Sequence, residues 1–162
     1  MSQEQHLYDY LEKLDVSYER YEHPPVYTVE ESQKYWAAIR GAHCKNLFLR
    51  DKKGKRHYLV ILKHSKRLDL KGLQTRLNEG KLSFASEKRL QKYLGLSTGA
   101  VSPFGLINDH ERDVQVVLDK DLEKEKLINF HPNVNTATIT ISFADFMRFL
   151  VSCGNRIHTL EM

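Results

Sequence analysis

Hydrophobic residues recur along the chain with two different periods, one typical of helices and one typical of strands. The first helical pattern places apolar residues three and four positions apart, on one face of a helix: Leu7, Tyr10, Leu11 and Leu14. Ser2 lies before this pattern and Gln5 follows three residues later, which is the spacing of a capping box. An amphipathic helix is therefore predicted near the start of the chain.

The strongest strand signal lies in the segment KNLFLRDKKGKRHYLVIL, residues 45–62. Two apolar runs, residues 47–49 and 58–62, flank a polar stretch that ends in Gly54. Short apolar runs joined by a polar turn with a glycine are typical of a β-hairpin. We therefore predict two adjacent antiparallel strands here.

Further helices are predicted where a polar N-cap residue is followed by helical apolar periodicity. They begin at Thr28, Asp69, Ser86 and Ser142 and end near residues 38, 77, 95 and 154. Further strands are predicted at residues 17–21, 82–85, 114–118, 136–141 and 156–160, with an apolar run at 127–130. Hairpin neighbours and helical crossovers both occur in this order, which favours an α+β or irregular α/β fold with a mixed sheet. At 162 residues, the chain is predicted to be a single domain, 1–162.

One connecting segment, GAVSPFGLIND at residues 99–109, differs from an ordinary loop. It concentrates Gly99, Pro103 and Gly105 around the apolar residues Val101 and Phe104. Connections between elements are more usually polar and short. The segment is therefore predicted to have a specific shape that serves the function.

Charge is distributed unevenly along the sequence. Residues 34–92 hold 17 Lys and Arg against 4 Asp and Glu, whereas the rest of the chain holds 8 against 17. Clustered Lys and Arg can bind a polyanion by releasing counterions from its phosphates. The alternative is a set of solvated lysines spread over several faces, and the counts alone leave both interpretations open.

Several kinds of chemistry have no motif in this sequence. It contains no Gly-x-Gly-x-x-Gly after a strand, no phosphate-binding Gly-x-x-x-x-Gly-Lys-Ser/Thr, no His-Glu-x-x-His and no Gly-x-Ser-x-Gly. Cys44 and Cys153 stand far apart, so reduced thiols are expected and a cysteine zinc site is not. His43 and Cys44 are adjacent on a strand and would point to opposite faces, so Cys44 is expected to be a packed thiol. With no apolar run of membrane-spanning length and no basic, apolar leader, a cytoplasmic location is the expectation.

Several separate segments, taken in order, resemble the YbaK/ProX family of aminoacyl-tRNA editing domains. They are HPPVYT, KNLFL, LGLSTGAVSPFGLIND, FHPNVNTATITIS and FMRFL, and together they cover nearly the whole chain. Within the family the chain is most similar to the free-standing ProX type, which deacylates alanyl-tRNA(Pro). The resemblance implies a mixed, partly barrel-like sheet surrounded by helices, and it implies no metal or organic cofactor.

The resemblance also implies which residues act. The lysine that the family needs for deacylation matches Lys45, and the family's glycine-proline loop matches residues 99–103. Backbone amides of a tight glycine loop can stabilise the oxyanion that forms when water attacks an ester. The expected catalytic residues are Lys45, Gly99, Ala100 and Val101, and the expected substrate-binding residues are Asn46, Ser102, Pro103, Phe104, His131, Asn135 and Thr136, with Thr138 beside them. His131 could alternatively act as a general base.

The expected partner is mischarged tRNA, which basic residues would bind through its acceptor stem. Those residues are Arg50, Lys52, Lys53, Lys55, Arg56, Lys63, Lys66, Arg67 and Arg76. A prolyl-tRNA synthetase poorly rejects a smaller amino acid, so a second, smaller site for alanine is useful. Prolyl-tRNA synthetase is a further candidate partner, and the chain is expected to be a monomer.

Two alternatives to this function stay open at the level of sequence. One is a deacylase of the YbaK type that acts on cysteinyl-tRNA(Pro), and the other is a non-catalytic tRNA-binding module on the same fold. One position also departs from the family, whose loop commonly reads Gly-Ser-Val-Thr/Ser-Pro, because Ala100 replaces that serine. If the serine hydroxyl contacts substrate, affinity or specificity differs here.

Overall fold

A mixed eight-stranded β-sheet forms the centre of the protein in the computed structural model, which describes residues 2–26 and 29–162. The strands are β1 (Tyr18–Glu22), β2 (Ala42–Asp51), β3 (His57–Lys63), β4 (Leu82–Phe84), β5 (Val114–Asp119), β6 (Leu127–Phe130), β7 (Ala137–Ser142) and β8 (Ile157–Leu160). The helices are α1 (Gln3–Lys13), α2 (Val29–Trp36), α3 (Leu70–Arg76), α4 (Glu87–Leu94) and α5 (Phe143–Cys153). The predicted mixed sheet with helices is confirmed.

The sheet is organised around the ten-residue strand β2. Strands follow the order β1-β7-β6-β2-β3-β5-β8, with β4 also paired to β2. β2 is parallel to β6 and antiparallel to β3 and β4, whereas β3, β5 and β8 are mutually parallel. The predicted β2–β3 hairpin is confirmed, and its pairing extends from Cys44–Lys63 to Arg50–His57.

Strands β3 and β5 are buried on both faces, which explains why they read as continuous apolar runs. One face of the sheet packs in the larger core under α1, α4 and α5, with Leu59, Ile61 and Val116 among its buried residues. The opposite face packs with α3 in a smaller cluster that includes Val60 and Val117. No helix in the described part of the chain has the length and apolar character needed to cross a membrane.

Capping residues fix the helix ends close to where the sequence predicts them. Ser2 accepts a hydrogen bond from the Gln5 amide, and Ser86 and Ser142 cap α4 and α5 in the same way. Gly95 ends α4 in a left-handed conformation, as a C-terminal glycine does. The predicted cap at Thr28 lies outside the described residues.

The segment predicted as a shaped loop contains two short 3₁₀ helices, Thr98–Ala100 and Pro103–Asn108. Ser102 lies between them and its hydroxyl accepts a hydrogen bond from the Phe104 amide at 3.1 Å. Gly105 is required by close packing, because a Cβ there would lie 2.6 Å from a Leu96 methyl group and 3.0 Å from the Leu94 carbonyl oxygen. A further 3₁₀ helix, Lys120–Lys124, was not predicted.

Phe104 attaches this segment to the main core. Its side chain is fully buried, and its ring meets those of Phe130, Phe146 and Phe149 edge to face, with centroid distances of 5.7, 6.4 and 5.0 Å. Such aromatic pairs add stability beyond the area they bury. The second 3₁₀ helix is thus held by one deeply inserted ring, which fixes the position of the glycine-containing turn before it.

Replacing Phe104 with alanine is expected to lower the free energy of unfolding by about 3–5 kcal/mol, because it removes a fully buried ring and leaves a cavity. A melting temperature lower by roughly 6–20 °C follows for a chain of this size. Calorimetry and urea unfolding measure both quantities. The matched control is Phe84→Ala, since Phe84 is 63% exposed and its removal should cost no more than about 0.5 kcal/mol. Equal losses for the two variants would contradict the anchoring role.

Candidate active site

An open cleft of about 550 Å³ brings together residues from five separate parts of the chain. The described residues that line it are Val26, Ser32, Trp36, Cys44, Lys45, Asn46, His64, Thr98, Gly99, Val101 and His131. Lys45 on β2, Gly99 on the first 3₁₀ helix and His131 after β6 therefore share one cleft. These three segments are the ones that the sequence singled out, and they are distant from one another along the chain.

The position of Lys45 depends on how β2 begins. Gly41 has a φ of +97°, and a Cβ there would lie 2.9 Å from the Leu127 carbonyl oxygen, so only glycine fits this close approach. Asn129 is buried and its side-chain amide donates hydrogen bonds to the carbonyl oxygens of Arg40 and Ala42. Sequence reasoning missed Asn129, although an asparagine inside an apolar strand run was a usable signal.

Lys45 and Asn46 both offer the cleft a polar group that the described protein does not pair. Lys45 is half-buried, and none of the ion pairs among the described residues involves it. The Asn46 Oδ1 atom is buried, with no hydrogen-bond partner in the described part of the chain. Asn46 lines the cleft beside Lys45, which makes it a candidate to contact a bound ligand.

The glycine turn presents two of its three predicted residues to the cleft. Gly99 and Val101 line it, whereas the Ala100 side chain is buried. The Ala100 amide donates to the Ser97 carbonyl oxygen at 3.0 Å and so closes the 3₁₀ turn. The Ala100 amide is therefore already used within the turn. The backbone amides of Gly99 and Val101 are better candidates to donate hydrogen bonds to an oxyanion.

Two neighbouring histidines are each held by a hydrogen bond between Nδ1 and a backbone carbonyl oxygen. His131 Nδ1 donates to the Ala137 carbonyl oxygen at 3.0 Å, which leaves an unprotonated Nε2. Burial lowers the pKa of His131, so the ring stays neutral at pH 7. His23, 6.2 Å away between ring centroids, donates from Nδ1 to the Pro24 carbonyl oxygen and accepts at Nε2 from the Thr138 hydroxyl. His131 thus offers a hydrogen-bond acceptor to the cleft.

An aromatic cluster at the cleft was not predicted from the sequence. Trp36 on α2 stacks on His43 with a centroid distance of 4.5 Å and meets His64 edge to face at 4.6 Å. Burial, and then the nearby His64, lower the pKa of His43 to about 4. These aromatic residues lie on three different elements, so no spacing in the sequence connects them.

Cys44 also lines the cleft, but its chemistry is that of a packed thiol. Burial raises the pKa of this thiol to about 12, and a thiol rather than a thiolate is a poor nucleophile. Within residues 2–26 and 29–162, no three His, Cys, Asp or Glu side chains are grouped as metal ligands would be.

Other residues predicted to bind substrate lie outside the lining of this cleft. Phe104 is in the core, Pro103 is buried, and the Ser102 hydroxyl is used by the Phe104 amide. Asn135 and Thr136 lie in the turn between β6 and β7, and the Thr136 carbonyl oxygen accepts a hydrogen bond from the His23 amide. These residues support the cleft from behind rather than form its wall.

The basic residues predicted to bind tRNA do not form one surface. Lys52 and Lys53 are exposed in the β2–β3 turn. They lie seven residues or more along β2 from Lys45, which corresponds to roughly 23 Å. The Arg50 guanidinium folds onto the same turn and donates to the Asp51 and Lys52 carbonyl oxygens. This turn is therefore at the opposite end of the hairpin from the cleft.

At the cleft end of the hairpin, most predicted cations are already paired. Lys63 pairs with Glu125 at 2.5 Å, and Lys66 pairs with Asp119 and Asp121 at 2.9 and 2.5 Å. Arg76 donates to the Glu161 carbonyl oxygen, and Arg67 is exposed. At the turn end of the hairpin, Arg56 pairs with Glu79 and Asp51, and Lys55 is exposed. Asp119 is fully buried, and a buried carboxylate without a partner would destabilise the fold. Lys66 therefore has a structural role as the partner of Asp119. The sequence could not reveal these pairings, because they join distant segments.

The chain is similar to known proteins in its sequence and in its fold. The family model described as the aminoacyl-tRNA editing domain matches residues 23–149. The prolyl-tRNA editing protein ProX of Acetoanaerobium sticklandii is 46% identical over 94% of this chain and 93% of its own length. The prolyl-tRNA synthetase associated domain-containing protein 1 of Danio rerio is 40% identical over 89% of this chain and 79% of its own. A solved candidate trans-editing enzyme for prolyl tRNA synthetase superposes with a TM-score of 0.73 at 21% identity, covering 100% of this chain and 98% of that one.

The buried neutral histidines predict that the fold is acid-sensitive. Burial lowers the pKa of His43 and of His57 to about 4, against about 6.5 in an unfolded chain. Between pH 4 and pH 6.5 these histidines bind more protons in the unfolded state than in the folded state. Their contribution to the free energy of unfolding is therefore fully present above pH 6.5 and is lost as the pH falls toward 4. Urea unfolding at pH 7.5, 6.0 and 5.0 should show a steadily decreasing midpoint, and His57→Gln should make that decrease smaller. A midpoint that is constant over this range would show that these rings are not held neutral by the fold.

Proposed function

Because the chain belongs to the aminoacyl-tRNA editing domain family, we propose that it removes alanine from mischarged tRNA(Pro) by hydrolysing the aminoacyl ester. The observation that carries this proposal is the meeting of Lys45, Asn46, Gly99 and His131 in one cleft. That cleft contains a cation, an unpaired acceptor, backbone amides and a neutral histidine. These groups match the parts of an aminoacyl ester, which has an ammonium, a carbonyl and a ribose with nearby phosphates.

Each group has a distinct part in the proposed reaction. The Lys45 ammonium holds the terminal phosphate or ribose oxygens and so places the ester beside the glycine turn. The unpaired Asn46 Oδ1 accepts a hydrogen bond from the substrate α-ammonium. The Gly99 and Val101 amides then face the carbonyl oxygen, where negative charge develops as water attacks the carbonyl carbon.

Water completes the reaction without a covalent enzyme intermediate. The free 2′-hydroxyl of the terminal ribose orients the attacking water, and the ester bond between the carbonyl carbon and the ribose 3′ oxygen breaks. A proton from water passes to that ribose oxygen, which yields free alanine and intact tRNA. His131 accepts a hydrogen bond from the bound substrate through Nε2, in agreement with its neutral state.

We propose that the amino-acid end of the cleft selects alanine by size. Val101, His131 and Gly99 line the cleft and would surround the bound amino acid. A synthetase discriminates poorly against a smaller amino acid, because a missing methylene changes binding by only about 1–3 kcal/mol. A second site that excludes proline by its volume corrects this error, while the tRNA supplies its own identity.

The surroundings of the cleft suggest how the tRNA body is held. Arg67 is exposed near the cleft end of the hairpin, and Lys52 and Lys53 are exposed at the far end. Phosphates next to the tRNA 3′ end would meet Arg67, a contact that contributes affinity but no sequence information. We further propose that the chain acts as a monomer and a single unit in the cytoplasm, where it receives mischarged tRNA that prolyl-tRNA synthetase releases.

Replacing Lys45 with alanine is expected to lower kcat/KM for Ala-tRNA(Pro) by roughly 100-fold, because the ester is no longer held in position beside the glycine turn. Deacylation of tRNA(Pro) charged with alanine, cysteine, serine or proline measures this effect and the specificity together. Lys13→Ala is the matched control, because Lys13 is exposed on α1 and lies outside the cleft lining. Circular dichroism and tRNA binding confirm that the variant is folded.

The substrates separate the alternatives. Preferential hydrolysis of the alanyl ester supports the proposal, whereas preferential hydrolysis of the cysteinyl ester assigns the chain to the YbaK type. Binding of tRNA with no hydrolysis of any ester would favour a non-catalytic module. Equal hydrolysis by wild type and Lys45→Ala would remove Lys45 from the mechanism.

A further inference from the structure

We propose that Trp36 stacks on the terminal adenine of the tRNA 3′ end, so that the cleft contains a nucleobase site as well as an aminoacyl site. This inference rests on the proposed function, because the adenine is the base attached to the ribose that carries the ester. It assigns a role to an aromatic cluster that the hydrolytic chemistry does not use.

Two histidine rings pack against Trp36, which is only partly buried. His43 is stacked on the indole at 4.5 Å with an interplanar angle of 15°, and His64 is 4.6 Å away with its ring steeply inclined. His43 and His64 are 6.2 Å apart. In the described part of the chain, no aromatic ring other than these two meets Trp36.

Trp36 faces the cleft, which His64 also lines. Trp36 and His43 both line a small adjoining cavity of about 30 Å³, and His43 does not line the cleft itself. Its neutral ring, with a pKa of about 4, packs against Trp36 without placing a charge there. This packing fixes the indole plane before any ligand binds.

The size of the cleft indicates an occupant larger than an alanyl group. Its volume of about 550 Å³ lies in the middle of the range, roughly 300–1,000 Å³, that proteins use for drug-sized ligands. An alanyl group contains only a few heavy atoms and fills a small part of that space. A nucleoside attached to it accounts for the remainder.

Aromatic side chains at such a site are typical of single-stranded RNA recognition. An unstacked base can lie on an aromatic ring, which contributes about 1–3 kcal/mol per base and does not depend on hydrogen bonds. Trp36 and Lys45 line the same cleft, so a base on the indole would leave its sugar and phosphate within the region that Lys45 lines. The proposed stacking therefore also orients the ester toward the Gly99 turn.

The protein contains one tryptophan, so its fluorescence reports on this site directly. The probes are two uncharged RNA acceptor-stem hairpins that are identical except that one ends in CCA and the other in CC. Saturable quenching is expected with the CCA hairpin, together with a Kd that is lower by roughly 5- to 150-fold than for the CC hairpin. Anisotropy of a 5′-labelled hairpin measures binding independently. Equal Kd values and equal quenching for the two hairpins would overturn the proposal.

Variants test the same site through kinetics. Trp36→Ala is expected to raise KM for Ala-tRNA(Pro) by roughly 5- to 150-fold with little change in kcat, because stacking is present in both the ground state and the transition state. Trp36→Phe keeps an aromatic face and should stay within a few-fold of wild type. Phe84→Ala, which removes an exposed aromatic ring outside the cleft lining, should leave KM unchanged. An unchanged KM in Trp36→Ala, or equal losses in Trp36→Ala and Trp36→Phe, would contradict stacking.

The two proposals fail in distinguishable ways. Quenching that requires the terminal adenine, in a protein that hydrolyses no ester, would keep the base site and reject the hydrolase. Hydrolysis that depends on Lys45, without any effect of the adenine or of Trp36, would keep the hydrolase and reject the base site. The fluorescence experiment uses the wild-type chain. It therefore still tests the base site if a Trp36 variant fails to fold.

Discussion

The arrangement of the whole molecule depends on the pairing of β2, the strand that joins the two halves of the sheet. Its first residues, Ala42 and His43, pair with β6, and the residues from Cys44 onward pair with β3. Lys45 and Asn46 follow immediately after the point where the pairing with β6 ends. Strand β2 therefore continues beyond its pairing with β6, and this leaves space beside Lys45 and Asn46. The close packing of Gly41 against Leu127 and the hydrogen bonds from the Asn129 side-chain amide fix the register between β2 and β6.

The glycine turn reaches the same space from the other side because its continuation is fixed in the core. The ring of Phe104 is fully buried among three other phenylalanines, and Gly105 permits the close packing of Leu94 and Leu96. A short turn with its next residues held so firmly has little freedom to move relative to β2. Backbone amides that are positioned before substrate binds are the kind of group that stabilises developing charge effectively, because they need no reorganisation during the reaction.

Local features of the fold were predictable because they depend on neighbouring residues. The capped helices and the β2–β3 hairpin follow from short-range periodicity and from polar residues at the helix starts. The family resemblance named the candidate residues around Lys45, Gly99 and His131 and implied that Lys45 and the Gly99 turn converge on one cleft, and the structure brings these three segments together. The aromatic cluster of Trp36 and the pairing of Lys66 with Asp119 were not predictable, because each joins elements that are distant in sequence. Charge counts likewise could not distinguish cations free to bind RNA from cations that neutralise buried carboxylates.

We propose that the carbonyl of the aminoacyl group lies against the turn that contains Gly99 and Val101, while its ammonium meets Asn46. A ¹H–¹⁵N NMR titration with a hydrolysis-resistant analogue, in which alanine is joined by an amide to 3′-amino-adenosine, tests this claim most directly. The largest chemical-shift changes are expected at the backbone amides of Gly99 and Val101 and at the side-chain amide of Asn46, with no change at Gly154 on the end of α5. Saturation by the analogue with no change at Gly99, Val101 or Asn46 would contradict it.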